Sequence, residues 1–127
     1  MTSRLTEWVI DCRDAERLAE FWCAVLGYRI VGRDGSDVEI AGDRGAPSIL
    51  FERIPHDVKL HKNRVHLDVN AVDVDQATEL QRLLDLGATH VDIGQGDQTW
   101  VVLADPEGNE FCLLRSTVAS EPTPLRD

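Results

Sequence analysis

With 127 residues, 43% of them hydrophobic and 28% charged, the chain has the length of one domain and the composition of a globular protein with its own core. Its 13 basic against 23 acidic residues leave a formal net charge of −10, which disfavours nucleic acid and anionic membrane as partners and suits a cationic ligand or a metal ion. Cys12, Cys23 and Cys112 form neither a CxxC pair nor an even framework, so reduced thiols are expected.

No apolar run approaches the roughly 20 residues of a membrane helix, and the opening MTSRLTEW lacks the apolar core of a signal peptide. The expected compartment is the cytoplasm. Leu5 to Cys12 alternates as a strand, with Glu7, Val9 and Asp11 on one face and Trp8, Ile10 and Cys12 on the other. A helix follows: Asp14 suits the N-cap, Leu18, Phe21, Trp22 and Val25 recur at helical spacing, and Gly27 ends it. Tyr28 to Arg33, Val38 to Ala41 and Pro47 to Ile54 read as three strands separated by Asp34-Gly35-Ser36 and by Gly42 to Ala46.

Pro55 to Asn63 breaks the periodicity and holds both lysines, as an exposed connector would. The order then repeats. Arg64 to Asn70 is strand-like, and Asp73 to Gly87 reads as a helix, with Asp73 and Gln76 in capping-box spacing and Ala77, Leu80 and Leu84 on its apolar face. Ala88 to Ile93, Thr99 to Ala104 and Asn109 to Arg115 supply three more strands, the last two joined by the turn Asp105-Pro106-Glu107-Gly108. Leu26-Gly27 and Leu86-Gly87 mark equivalent points, so the chain is an α+β domain over residues 1–115 built of two tandem βαβββ modules, 5–54 and 64–115. Residues 116–127, with two prolines and no periodicity, read as a flexible tail.

If the helices cover one sheet face, that face takes Trp8, Ile10, Phe111 and Leu113, and Trp22 and Trp100 read as core. The opposite faces form a cleft that receives Glu7 and Asp11 from the first strand, Glu52, His66 and Asp68 from strands bounding the modules, and Glu110 and Cys112 from the last. Carboxylates, an imidazole and a thiol converging from four strands suit a divalent metal, although lone acids on half-exposed strands, such as Asp11 and Asp68, are ordinarily solvated. His56, His61 and His90 match no such pattern and read as surface residues. No G-x-S-x-G, P-loop or dinucleotide fingerprint is present, so hydrolase, NTPase and NAD readings have no support.

Two βαβββ modules, a first helix ending in FWCAVLGY, the strand RVHLDV and the final DPEGNEFCLL together resemble the vicinal oxygen chelate superfamily of glyoxalase I, extradiol dioxygenases and bleomycin resistance proteins. The resemblance covers residues 5 to 115 and implies a curved sheet enclosing a cleft. In the glyoxalase I branch it implies a metal held at the positions of Glu7, Glu52, His66 and Cys112. Glu52 and His66 are of the expected types, Glu7 stands where histidine is usual, and Cys112 stands where a glutamate is usual, with Glu110 two residues away on the same face. Zinc is the metal such a set suits best.

Two functions follow from the resemblance. One is a metal-dependent lyase, isomerase or dioxygenase acting on a small organic molecule, with Glu52 or Glu110 as acid or base and Glu7, Asp11, Asp68 and Glu110 facing the ligand. The other is a metal-free protein without a cofactor that sequesters a cationic drug-like ligand, as in the bleomycin resistance branch. A homodimer is implied in either case.

Overall fold

The computed structural model describes residues 1–42, 45–56 and 59–120. The elements run β1 (Glu7–Cys12), α1 (Ala15–Leu26), β2 (Arg29–Asp34), β3 (Asp37–Ala41), β4 (Ser48–Arg53), β5 (Leu67–Val69), α2 (Gln76–Leu86), β6 (Thr89–His90), β7 (Val101–Ala104) and β8 (Glu110–Leu113). They form two four-stranded sheets, β1-β4-β3-β2 and β5-β8-β7-β6, each from one βαβββ module. In each sheet the first strand lies parallel to the fourth and the other pairings are antiparallel. The register Glu7↔Ser48, Val9↔Leu50, Asp11↔Glu52 puts these six residues on one face, away from α1. Among the described residues no helix is long and apolar enough to cross a membrane.

Local chemistry explains the helix ends. The Asp14 carboxylate accepts from Arg17 N at 3.2 Å at the start of α1, and Gly27 closes it at φ 69°, where a side chain would be strained, with its N–H on Cys23 O. The second helix starts later than the capping-box spacing implies. Asp75 is its N-cap, accepting from Thr78 N at 2.8 Å, while Asp73 stands outside at φ 62° with its carboxylate on Ser120 N. Gln76 is thereby free of the capping box, and its amide donates to Thr99 O and Leu113 O. The buried face of α2 also differs: Leu83 and Glu79 are buried, Leu80 and Leu84 half-buried, and Ala77 exposed.

The two modules share one core. Trp22, Phe21 and Leu18 of α1 and Ile40 and Phe51 of the first sheet are in one cluster with Leu83, Leu103, Phe111 and Leu113 of the second module. Phe21, Trp22 and Phe111 meet edge-to-face, with ring centroids 5.0 to 6.1 Å apart, and each large side chain buried in this way contributes about 1.5–3 kcal/mol. Arg82 of α2 fastens the helices together. It pairs with the buried Glu79 at 2.7 Å and donates to Ala24 O and Val25 O, the C-terminal carbonyls of α1, whose last turn has no basic residue of its own.

Other expectations are corrected by position along the sheet. Trp8 is 37% and Trp100 38% exposed. Trp8 lies on the outer strand of its sheet beside a cavity, and Trp100 just precedes β7. The connector is not simply an exposed link, because Lys59 and Asn63 fold onto Glu110 of β8. The first residues after 115 are docked rather than loose: Val118 bridges Val72 and Thr117 Oγ1 donates to Val74 O. Residues 121–127 of the expected tail lie outside the described residues. His56, His61 and His90 are exposed, as expected.

Candidate functional site

The turn Asp105-Pro106-Glu107-Gly108 positions the site by structural chemistry. Asp105, 3% exposed, accepts from Glu107 N and Asn109 N through Oδ1 and from Trp22 Nε1 and Asn109 Nδ2 through Oδ2, at 2.9 to 3.0 Å. Burial pushes its carboxyl up, against these donors, which pull it down. The FW and DPEGN motifs are therefore two sides of one buried hydrogen bond. Glu107 reaches the other end of the helix: its carboxylate accepts from Arg13 N and, at 2.7 Å, from Asp14 N, just before α1. With Arg82 at the C-terminus, the first helix is held at its start, middle and end by the second module.

This arrangement sets a cavity of about 330 Å³ between the outer strand β1 and the stretch leading into β5. Trp8, Ile10, Val65, Leu67 and Phe111 give it a mainly apolar wall, and its polar members are Asn63, His66, Asp105, Asn109 and Glu110. Glu110 is not a free carboxylate. Burial raises it, but the Lys59 ammonium at 2.8 Å and the Asn63 N–H at 3.1 Å outweigh that and hold it below the usual carboxylate range.

Three candidate ligands come together at β5 and β8. One donor atom each from His66, Asp68 and Cys112 lies within 4.8 Å of the others, and His66 Nε2 stands 3.2 Å from Asp68 Oδ1. The cause is alternation: His66 and Asp68 share a face, and Asp68 pairs in register with Cys112. His66 and Asp68 are exposed and Cys112 is buried. Burial pushes the Cys112 thiol up, Asp68 pushes the same way, and Lys62 pulls against them.

The donor set fits a divalent metal. Imidazole, carboxylate and thiolate are all zinc ligands, and donor atoms around a tetrahedral zinc stand roughly 3.3–3.8 Å apart, within the 4.8 Å that spans the three here. Three protein donors also leave a coordination position open. Glu7 and Glu52 are not in this group; they, with Asp11, lie on the open face of the first sheet, outside both the cluster and the cavity lining. Asp68, which reads as an ordinary solvated acid, is a member. Its position two residues after His66 was the available signal. Lys59, 51 residues before its partner, had none.

The fold has known counterparts. FosX, a fosfomycin resistance protein from Mesorhizobium loti, is 19% identical, with 93% of this chain and 96% of that one covered at a TM-score of 0.66. A variant of the Listeria monocytogenes FosX, crystallised with manganese(II) and 1S,2S-dihydroxypropylphosphonic acid, is 16% identical, with 90% of each chain covered and a TM-score of 0.64. A glyoxalase/bleomycin resistance protein/dioxygenase family enzyme from Burkholderia phytofirmans is 20% identical, covering 87% and 97% at a TM-score of 0.56. At these identities the likeness is one of fold. No curated protein matches the chain in sequence. The family profile of the glyoxalase-like domain, however, matches residues 7–114, and with the two βαβββ modules in place the chain belongs to that glyoxalase-like family.

Proposed function

We propose that the chain binds a small, largely apolar organic molecule in the cavity between β1 and β5, beside a divalent metal held by His66, Asp68 and Cys112. The observation that carries this reading is that His66 belongs both to the three-donor cluster and to the cavity lining. When bound, a metal there supplies Lewis-acid polarisation of ligand oxygens through its open position. Trp8, Ile10, Val65, Leu67 and Phe111 hold the ligand body and exclude water. Zinc is favoured over manganese by the thiolate of Cys112.

The cationic-ligand alternative has less support. Glu7 and Asp11, which would make an acidic wall, lie outside the cavity, and Glu110 is already neutralised by Lys59. A second copy of the chain is the partner we assign to β1 and β5, the outer strands of their sheets, where Trp8, Val9 and Val65 are exposed. Such a pairing is also the route by which Glu7 or Glu52 would join the ligand set.

Elemental analysis and zinc and manganese titrations of the purified protein test the metal. Zinc should bind at one site per chain, and His66→Ala should weaken it by more than the roughly 10–100-fold that even an outer-layer partner is worth. Zinc affinity unchanged in both His66→Ala and Cys112→Ala would sink the assignment. Light scattering of the same sample measures the oligomer.

A further inference from the structure

A second cavity, about 590 Å³, opens at the start of α1 on the far side of the Asp105-to-Gly108 turn, and it shares no lining residue with the first. Its wall carries Arg13, Arg17, Arg53 and Lys59, four of the 13 basic residues of a chain whose net charge is −10. The acids beside them are Asp14 and Glu107, and the Lys59 ammonium is offset by Glu110, so three guanidiniums against two acids leave +1 at the described lining.

Both acids are already engaged. Asp14 caps Arg17 N, and Glu107 accepts from Arg13 N and Asp14 N. Lys59 is paired with Glu110. The guanidiniums of Arg13, Arg17 and Arg53 have neither an ion-pair nor a hydrogen-bond partner among the described residues, in contrast to Arg33 on Glu16 and Arg82 on Glu79. Their placement also breaks a local rule: Arg13 precedes α1 and Arg17 sits in its first turn, at the positive end of the helix dipole. Unpartnered like charges gathered where local electrostatics disfavours them, around a space of molecular size, are the mark of a site shaped for a ligand.

We propose that this basin binds a small phosphate-bearing anion. Guanidinium forks match phosphate oxygens bidentately, and a phosphomonoester offers three terminal oxygens to the three forks where a carboxylate offers two. Glu107 occupies the two backbone N–H groups, so the guanidiniums carry the recognition. The volume leaves room for an organic group beyond the phosphate.

The test is an amide and guanidinium NMR titration at low salt with two probes, inorganic phosphate and ribose 5-phosphate. Saturable shifts are expected at Arg13, Asp14 and Gly108 and at the side-chain N–H groups of Arg13, Arg17 and Arg53. Arg17→Gln and Arg53→Gln should each weaken binding by about tenfold, the worth of a hydrogen bond to a charged group, and the double variant should abolish it. Tighter binding of the sugar phosphate than of phosphate would identify an organic phosphate as the ligand; equal binding would identify phosphate itself. Arg33→Gln and His66→Ala should leave both titrations unchanged, which separates this site from the metal and cavity reading. All four are exposed side chains, and circular dichroism verifies the fold. Shifts that stay linear into the tens of millimolar, binding that survives in the double variant, or equal weakening by Arg33→Gln would overturn the proposal.

Discussion

Replacing Asp105 with asparagine keeps the shape of the side chain and changes what one terminal atom offers. The Asn oxygen should take the place of Oδ1, which accepts from two backbone N–H groups, Glu107 N and Asn109 N. Its NH2 group then falls where Oδ2 accepts from Trp22 Nε1 and Asn109 Nδ2, setting donors against donors. Trp22 is 2% exposed, so its indole N–H cannot turn to water. A buried donor left unsatisfied costs about 1–3 kcal/mol, and the second lost bond adds about 1 kcal/mol. Removing a buried charge relieves its desolvation and offsets part of this, for a net loss of about 1–3 kcal/mol. Urea unfolding of wild type, Asp105→Asn, Trp22→Phe and the double variant separates these contributions. In the Trp22→Phe background the asparagine no longer meets the indole donor, so its effect should shrink by about 1 kcal/mol or more. Costs that add to within about 0.5 kcal/mol would show that the indole–carboxylate bond is not what joins the two motifs.

Arg82→Ala strands the buried Glu79 carboxylate and two C-terminal carbonyls of α1, and should lower stability by about 2–3 kcal/mol in the same urea assay; a loss under about 0.5 kcal/mol would reduce Arg82 to a surface residue. Glu110 gives a pH dependence of defined sign. Its folded pKa is depressed, so the stability it adds is full above the unfolded carboxylate value and is lost as pH falls through the folded one. The gap between wild type and Glu110→Gln should therefore narrow on acidification from pH 7, and a gap that widens would contradict the Lys59 pairing.

What was legible in the sequence was local or periodic. The Asp14 cap, the Gly27 stop and the two βαβββ modules depend on neighbours within a few residues, and the structure keeps them. Asp73 and Asp75 show where that reading ends: either can cap a helix, and Ser120, 47 residues on, engages Asp73 and leaves Asp75 to start α2. Alternation placed Trp8 on the correct face but could not say that the outer strand runs past the cover of α1. The candidate site was half legible for the same reason. His66 and Cys112 follow from alternation and motif, and Asp68 from sharing the face of His66. Which module Glu7 and Glu52 would face, and which cation would meet Glu110, depend on how two sheets and a connector pack in three dimensions.

The three-point hold on α1 has a consequence during synthesis. The helix is complete once Leu26 has been made, yet Glu107, Asp105, Phe111 and Arg82, which seat its start, its indole, its aromatic face and its end, emerge far later. Until then Phe21 and Trp22 have only the first module's part of the core, Ile40 and Phe51 among it, to pack against. The parallel pairing of β5 with β8 likewise cannot form before the final strand appears. A nascent chain stopped short of Asp105 should therefore expose part of its aromatic helix face and be a substrate for chaperones, so the final seating of α1 waits until translation nearly finishes.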